Sequence, residues 1–476
     1  MSEFSVFLKN CIKNQNLTLK EVAKLTNQNY SLLSRYIHAT RLPKNQHVVK
    51  EIAAGLQLNE NDTKKLCKYY QQEKIGKDEF EAYKKIKNLL SRLDYIFTQS
   101  GALFPKPIYN QTIPLKEGIT PLNSQQDIFD CISYSIIYFS KNETVNIKAM
   151  MQPHPALNEL FVNHPISTQI HLEQIICVDR NNANSSTINL NLLDTILPIL
   201  CSSIDTEISY YYESINNHIN SFTLFPAIII IGDYLIRFDE KINYGELITV
   251  PEIVDFYKNT FMELKQNTAI LTPNLNSPMA HTQYLTENEN SFTTGYAFHS
   301  WPCVGSFLSR DIYEQFLLPE LPMRDVLIEN LTKTCNYSET QTPQQNVKIF
   351  ITKEGIEYFL KTGDIVEFPK EYYIPLTKEV RLLIMKRMIK GIKEGWAQIY
   401  ITKEDFTIPK NIGVIFSSSY LSIKNTTSPN LDTYIIEESS LCSLFINFFN
   451  YCVENNYVYP ISQTTEIIKD AIRRLL

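Results

Sequence analysis

Thr18-Leu-Lys-Glu-Val-Ala-Lys-Leu-Thr-Asn-Gln-Asn-Tyr-Ser-Leu-Leu-Ser-Arg-Tyr-Ile-His-Ala-Thr-Arg-Leu-Pro43 reads as two short helices joined by a tight turn and followed by a basic loop. Thr18 and Glu21 have the spacing of a capping box, in which each side chain satisfies a backbone N–H left open at the helix start. Leu19, Val22, Ala23 and possible fourth member Leu25 then form one apolar face at helical spacing. Small Ala23 stands where the two helices would cross closely. Thr26-Asn27 marks the turn, and Asn tolerates the left-handed backbone of such a corner. Asn29 is placed to cap the second helix. The inward residues of that helix are Leu32 or Leu33, Tyr36 and Ile37, and the outward ones are Tyr30, Ser31, Ser34 and Arg35.

This is the layout of a helix-turn-helix, which lays its second helix in the major groove of DNA. Short or planar hydrogen-bonding side chains on the outward face suit contact with base edges and phosphates. The candidate DNA contacts are Thr18, Gln28, Asn29, Tyr30, Ser31, Ser34, Arg35, Arg41 and Lys44.

Leu33-Ser-Arg-Tyr-Ile-His-Ala-Thr-Arg-Leu-Pro43 resembles the stretch that follows the turn in phage repressors of the XRE type, with a family pattern close to Ile-Ser-Arg-Tyr-x-x-Gly-x-Arg-x-Pro. The resemblance covers roughly residues 4–72 and implies a five-helix bundle. Helix one would run from Phe4 to Lys13, helix four from about Gln46 to Leu56, and helix five from Asn59 with Asp62 as its capping partner. Ala39 replaces the Gly usual after the recognition helix, and Asn27 replaces the usual Gly of the turn. Ala39 would be strained if its φ is positive. The family usually binds two half-sites as a homodimer. Some members of the fold serve protein contact instead.

Residues 1–90 carry 16 Lys and Arg against 9 Asp and Glu, a net of +7, whereas the remainder carries 29 against 42, a net of −13. A basic head on an acidic body fits a chain whose N-terminus alone meets double-stranded DNA. With 476 residues the chain has room for two or three domains. No run of 18 apolar residues occurs, and the N-terminus lacks a signal-peptide layout, so no membrane span and a cytoplasmic location are expected. Nine cysteines, an odd number without a C-x-x-C pair, fit reduced thiols, with Cys177, Cys201 and Cys442 as core residues.

Between head and body, Phe80, Tyr83, Ile86, Leu90, Leu93 and Phe97 fall on one face of a helix spanning Lys77 to Phe97. Two partners compete for this stripe: the protein's own body, or a twin helix across a dimer axis.

The body carries an internal repeat. Phe222-Thr-Leu-Phe-Pro-Ala-Ile-Ile-Ile-Ile-Gly-Asp-Tyr-Leu-Ile-Arg-Phe238 and Phe406-Thr-Ile-Pro-Lys-Asn-Ile-Gly-Val-Ile-Phe-Ser-Ser-Ser-Tyr-Leu-Ser-Ile423 both read as a strand, a break and a second strand, with Tyr234-Leu235 and Tyr420-Leu421 offset by 186. Helices Val250–Leu264 and Glu438–Asn455 follow. Earlier, the helix from Leu192 matches Lys378–Ile392, Glu207–Tyr212 matches Trp396–Ile401, and, more loosely, Val145–Met151 matches Val347–Thr352. Each half then reads strand, helix, helix, strand, strand, helix, with apolar strands of the kind buried under helices on both faces. The expected fold class is multidomain: an all-α repressor-like helix-turn-helix head plus a duplicated α/β body. The expected boundaries are 1–76 for the head, 77–99 for the linking or dimerisation helix, and 100–275 and 276–476 for two similar lobes meeting at a pseudo-two-fold interface.

This duplication is faintly similar to the phospholipase D fold, in which two such lobes build one site at their junction. That family needs His-x-Lys in each lobe, and here His154, His164, His171, His218, His281 and His299 all lack a Lys two residues on. No Gly-rich phosphate loop is present. His164, His171 and Glu173 do not make a metal-ligand spacing, and Ser417-Ser418-Ser419 lacks the Gly-x-Ser-x-Gly frame. No catalytic residue, metal or cofactor is therefore expected, and the chain reads as a non-enzyme. The aromatic and polar segment Thr286–Cys303 lies near the lobe junction, which makes Tyr296, Phe298, His299 and Trp301 the candidate ligand site; Tyr210-Tyr211-Tyr212 is a second candidate or an ordinary strand.

Three functions fit these features. One is a dimeric transcription regulator whose lobes sense a small molecule or peptide. Another is a defence or toxin-antitoxin-type effector with a repressor-like targeting or autoregulatory head. The third is a scaffold that binds another protein.

Overall fold

The computed structural model describes residues 2–99, 117–140, 144–162, 169–179, 185–202, 204–213, 224–272, 274–275, 278–287, 294–334, 346–427 and 432–475. It forms two compact units, Met1–Ile86 and Lys87–Leu476.

The first unit is helical: α1 (Glu3–Asn14), α2 (Leu19–Leu25), α3 (Tyr30–Ile37), α4 (Gln46–Gly55), α5 (Glu60–Ile75) and the start of α6 (Lys77–Gln99). Ser2, Thr18, Asn29, Asn45 and Asn59 each precede a helix, and each side chain accepts a backbone N–H of the first turn. Such a cap contributes about 1 kcal/mol. Phe4, Leu8, Val22, Leu33, Tyr36, Val49, Ile52, Leu66 and Tyr70 interdigitate as one core. The sequence left Leu32 and Leu33 as alternatives, and Leu33 is the buried one, while Leu32 packs at the edge. Leu25 does not join the apolar face; it is 54% exposed because α2 ends there. Four corners of the unit place a non-glycine residue in the left-handed region, Asn16 at φ 53°, Asn27 at φ 52°, Ala39 at φ 57° and Gln57 at φ 48°.

The second unit holds two sheets. The elements of the first lobe are β1 (Ile119–Leu122), α7 (Gln125–Phe139), β2 (Val145–Met150), α8 (Pro155–Val162), β3 (Ile170–Val178) and α9 (Ser185–Leu200). They continue with β4 (Asp205–Tyr212), β5 (Ala227–Ile231), β6 (Tyr234–Phe238), β7 (Gly245–Ile248), α10 (Pro251–Lys265) and β8 (Ala269–Ile270). The second lobe starts with β9 (Asn274–Leu275), α11 (Pro278–Glu287), β10 (Thr294–Phe298), α12 (Arg310–Phe316), α13 (Arg324–Thr334), β11 (Asn346–Ile351) and α14 (Lys353–Thr362). It ends with α15 (Lys378–Glu394), β12 (Ala397–Ile401), β13 (Ile412–Phe416), β14 (Leu421–Asn425), β15 (Thr433–Ile436), α16 (Ser439–Glu454) and α17 (Ile461–Leu475).

The strand orders are β1-β7-β6-β5-β2-β3-β4-β8 and β12-β11-β10-β13-β14-β15-β9. Reading the second sheet backwards superposes β15-β14-β13-β10-β11-β12 on β7-β6-β5-β2-β3-β4. In each lobe three parallel strands join an antiparallel meander through one antiparallel pairing, β2 with β5 and β10 with β13. The body is thus a duplicated α/β architecture. One strand match changes. Val145–Met150 corresponds to β10, not to the Val347–Thr352 stretch, which is β11 and corresponds to β3. The simpler half read from sequence also lacked β3, β7 and β15. Thr-Gly-Tyr-Ala-Phe in β10 has no run of Ile or Val to mark a buried strand, so the sequence shows a linker where the sheet has its central strand. β9, which the expected boundary at residue 275 assigns to the first lobe, pairs with β15 in the second sheet.

The lobes are joined through the Tyr210–Tyr212 run, which is the end of β4. Tyr210 donates to the Glu437 carbonyl at 3.0 Å, Tyr212 to Glu438 Oε1 at 2.9 Å, and Asn189 Nδ2 to Ser440 Oγ at 3.0 Å. The C-terminal half of α6 packs on this same unit. Phe97 lies 5.7 Å from the Tyr434 ring, Lys87 Nζ lies 4.6 Å over Tyr457, and Asp94 accepts the N–H groups of Lys410 at 2.6 Å and Asn411 at 2.9 Å. That half of the apolar stripe is therefore covered by the chain's own body. No described helix is long and apolar enough to cross a membrane.

Candidate nucleic-acid interface and a buried polar cluster

Of the candidate DNA contacts, Thr18, Gln28 and Asn29 have committed side chains. Thr18 Oγ1 accepts the Glu21 N–H while Glu21 Oε2 accepts the Thr18 N–H at 2.7 Å, which completes the capping box. The Thr18 hydroxyl holds the Glu21 carboxyl below its usual range. Asn29 Oδ1 accepts the Ser31 N–H at 2.8 Å, and Gln28 Nε2 donates to Glu51 Oε2 at 3.2 Å. These bonds fix the start of α3. Ser34 is half-buried, and its carbonyl faces His38 Nδ1 at 2.7 Å. Tyr30 is 52% exposed, and Ser31, Arg35, Arg41 and Lys44 are exposed as well. The side chains of Tyr30, Arg35, Arg41 and Lys44 make no hydrogen bond or ion pair among the described residues. The outward face of α3 and the loop after it therefore present a phenol, a guanidinium pair and an ammonium to solvent.

The second candidate site is divided by the strand period of two. Tyr296 and Phe298 point to the side of β10 covered by α16: the Tyr296 ring lies 5.3 Å from Phe449, and Phe298 lies 5.1 Å from Phe416 and 5.7 Å from Phe449. Phe298 has no exposed surface. Both are members of an aromatic core. His299 and Trp301 lie together elsewhere, stacked at 5.1 Å with planes 12° apart, and both are buried. They rest on Gly413 of β13, where a Cβ would come within 3.0 Å of His299 Nε2. Of the segment Thr286–Cys303, residues 288–293 lie outside the described residues, as do His164 and His218.

Around His299 the structure collects Cys303, which the sequence reading named only as the end of the segment Thr286–Cys303, and Glu367 and Lys424, which it did not single out. Glu367 comes from the loop after α14 and Lys424 from β14. Lys424 Nζ donates to the Glu367 carbonyl at 2.7 Å. Burial pushes His299 down to about 3, helped by the nearby Lys424 charge. Burial also pushes Lys424 down to about 8 against the opposing pull of Glu367. The Glu367 carboxyl is driven up by its burial, although Lys424, two backbone N–H groups and the Cys303 thiol pull it down. Within this cluster His299 Nδ1, Trp301 Nε1 and both Glu367 carboxylate oxygens are buried without completing a hydrogen bond. The search of the sequence for metal-ligand spacing did not find the group His299, Cys303 and Glu367, whose donor atoms converge here. It rested on residues close in the chain, and Glu367 is remote. No sequence signal linked Glu367 or Lys424 to His299.

The other groups behave structurally. His171 Nδ1 meets Asp205 Oδ2 at 2.7 Å at the start of β3 and β4, Glu173 binds Lys148 and Lys265, and Ser417 Oγ accepts the Ser419 N–H in a turn. Cys177 and Cys442 are core residues and Cys201 is half-buried.

No protein-family model and no curated protein matches this chain. Among solved structures it is similar to TrmBL2, described as an archaeal chromatin protein with a novel mode of DNA binding, at 13% identity over 44% of this chain and 69% of that one, TM-score 0.20. It is also similar to phosphatidylserine synthase of Haemophilus influenzae, at 9% identity over 80% of this chain and 97% of that one, TM-score 0.20. The polyphosphate kinase of Porphyromonas gingivalis matches at 7% identity over 74% of this chain and 54% of that one, TM-score 0.20. Two of these three are enzymes, and the reading of this chain as a non-enzyme is withdrawn on that finding. A TM-score of 0.20 assigns neither activity to it. The reading had rested on the absence of contiguous motifs, a criterion blind to His299, Cys303, Glu367 and Lys424.

Proposed function

We propose that the protein is a DNA-binding transcription regulator that reads an operator with α2 and α3 and controls that reading through its duplicated body. The observation that carries this is the outward face of α3, where Tyr30, Ser31 and Arg35 are exposed beside Arg41 and Lys44 while Leu33, Tyr36 and Ile37 are buried. Arg supplies the fork that pairs bidentately with guanine, and the capped start of α3 supplies N–H groups for phosphate. The net +7 of residues 1–90 supports the same assignment.

In this reading the DNA-binding part is residues 1–76, which ends at Gly76. The protein acts in the cytoplasm as a homodimer on two half-sites, and a small molecule or peptide bound by the body shifts operator affinity. Such coupling requires tighter ligand binding to one arrangement of the protein than to the other.

The test is recovery of genomic DNA fragments by the full-length protein, beginning with its own promoter region. An enriched inverted repeat with half-site centres about one helical turn apart is the expected result. Recovery at the level of random fragments would exclude operator reading.

A further inference from the structure

His299, Cys303 and Glu367 bring a ring nitrogen, a thiol sulfur and a carboxylate oxygen within 4.8 Å of one another. Two different parts of the second lobe supply them: the residues just after β10, and the loop that follows α14. His299 is 1% exposed, and its Nδ1 has no hydrogen-bond partner; both Glu367 carboxylate oxygens are buried, with the N–H groups of Glu367 and Val304 and the Cys303 thiol near them but completing no hydrogen bond. A buried polar atom left without a completed hydrogen bond keeps its desolvation cost uncompensated. Three such atoms in one cluster call for a group that satisfies them together.

The donor types identify that group. Imidazole nitrogen, thiolate sulfur and carboxylate oxygen are the ligands of zinc, and three protein ligands leave one of four tetrahedral positions open. Calcium and magnesium take oxygen ligands and would not use the thiol or the imidazole. His299 and Cys303 share one short segment, which is locked by its neighbours. Thr352 Oγ1 donates to the Ser300 carbonyl at 2.6 Å, and Ser300 Oγ donates to the Lys410 carbonyl at 2.8 Å. Cys303 and Glu367 are each half-buried as whole residues, so the cluster lies just beneath the surface. Lys424, bonded to the Glu367 carbonyl, puts one positive charge beside the cluster and weakens its hold on a cation.

We propose that His299, Cys303 and Glu367 form a three-ligand site for a divalent transition metal of the zinc type, with the fourth position open to water or to an exogenous ligand. Binding takes the proton from the Cys303 thiol to solvent and places the metal's two positive charges against the thiolate and the carboxylate. The proposal is independent of DNA binding, so either can fail alone.

The experiment uses full-length, chelator-treated protein titrated with cobalt(II) and then zinc. Cobalt is expected to give tetrahedral visible bands and a thiolate-to-metal charge-transfer band, both bleached by zinc. Cys303→Ser is expected to abolish the charge-transfer band. Glu367→Gln is expected to weaken binding by about tenfold or more, and Lys424→Met to tighten it. Alkylation of the unmutated chain, read by peptide mass spectrometry, removes dependence on the variants' folding: zinc is expected to slow labelling of Cys303 and to leave Cys201 unchanged. Cys303 labelling at the same rate with and without zinc would overturn the proposal. So would a cobalt spectrum that Cys303→Ser leaves intact.

Discussion

Gly355 lies against the Ser300 carbonyl so closely that a Cβ at this position would stand 1.7 Å from the Ser300 oxygen and 2.9 Å from Trp301 Cα. Both obstacles are backbone, so neither can swing aside. The contact holds the first turn of α14 to the segment that carries His299, Trp301 and Cys303. Gly355→Ala is expected to destabilise the protein by at least the 1–3 kcal/mol typical of overpacking. Denaturant unfolding of the purified variant measures it, and a shift of the midpoint within error of the unmutated protein would show that the two segments separate freely.

Ala39 makes the opposite case. Its φ of 57° puts a Cβ in the left-handed region at the corner after α3, at a cost of about 1 kcal/mol that Gly does not incur. Ala39→Gly is expected to raise the stability of the helical unit by about that much while leaving DNA affinity unchanged. Thermal unfolding followed by circular dichroism reads the first, and titration with the recovered operator reads the second.

The pH dependence of stability has one well-defined contributor in the first lobe. Burial alone would raise the Glu173 carboxyl, but hydrogen bonds from Lys148 and Lys265 outweigh it and hold the group below its usual range. Lys265 in turn is opposed by its own burial yet raised by Glu173 and Glu207, the latter at 2.8 Å. A depressed carboxylate stabilises the fold above its unfolded pKa of about 4.3, and that contribution is lost as pH falls through the folded value. A raised lysine stabilises the fold below its unfolded pKa of about 10.4, and that contribution is lost as pH rises through the folded value. Glu173→Gln is therefore expected to cost about 1–3 kcal/mol at neutral pH. The difference from the unmutated protein should shrink in strong acid. Unfolding curves across the acid range test this, and a difference independent of pH would contradict it.

Deletion of residues 1–76 is expected to leave a folded body, because Leu90, Leu93 and Phe97 of α6 remain and Asp94 keeps both of its bonds to the Lys410–Asn411 backbone. The truncated protein should retain cooperative unfolding and lose all operator affinity. Aggregation of the truncated body would move the boundary, and residual operator binding would place DNA contacts outside the head.

The helical unit was legible because its determinants are local. Thr18 with Glu21, Asn29 and Asn59 announce helix starts, and the spacing of Val22, Leu33, Tyr36 and Ile37 announces the buried face. The strands β5, β6, β13 and β14 were legible from their apolar runs and the common offset. β10 was hidden because Gly295 and Ala297 interrupt its apolar pattern and histidine follows it directly. The polar cluster was hidden for a different reason. His299 and Trp301 stood out as candidates, but their separation from Tyr296 and Phe298 follows from strand alternation. Their approach to Glu367 and Lys424 follows from the loop after α14 and the pairing of β14 with β13, where Lys424 faces Gly413. Neither is encoded in any short stretch.

The operator affinity of the full-length protein and of Arg35→Ala, measured side by side at one fixed salt concentration on a recovered fragment and on random DNA, tests the account most directly. The substitution is expected to lower affinity for the fragment by about 1–3 kcal/mol and to relax discrimination at one base position, with little effect on random DNA. Equal affinity of the two proteins for the fragment would contradict the assignment of α3 as the reading helix.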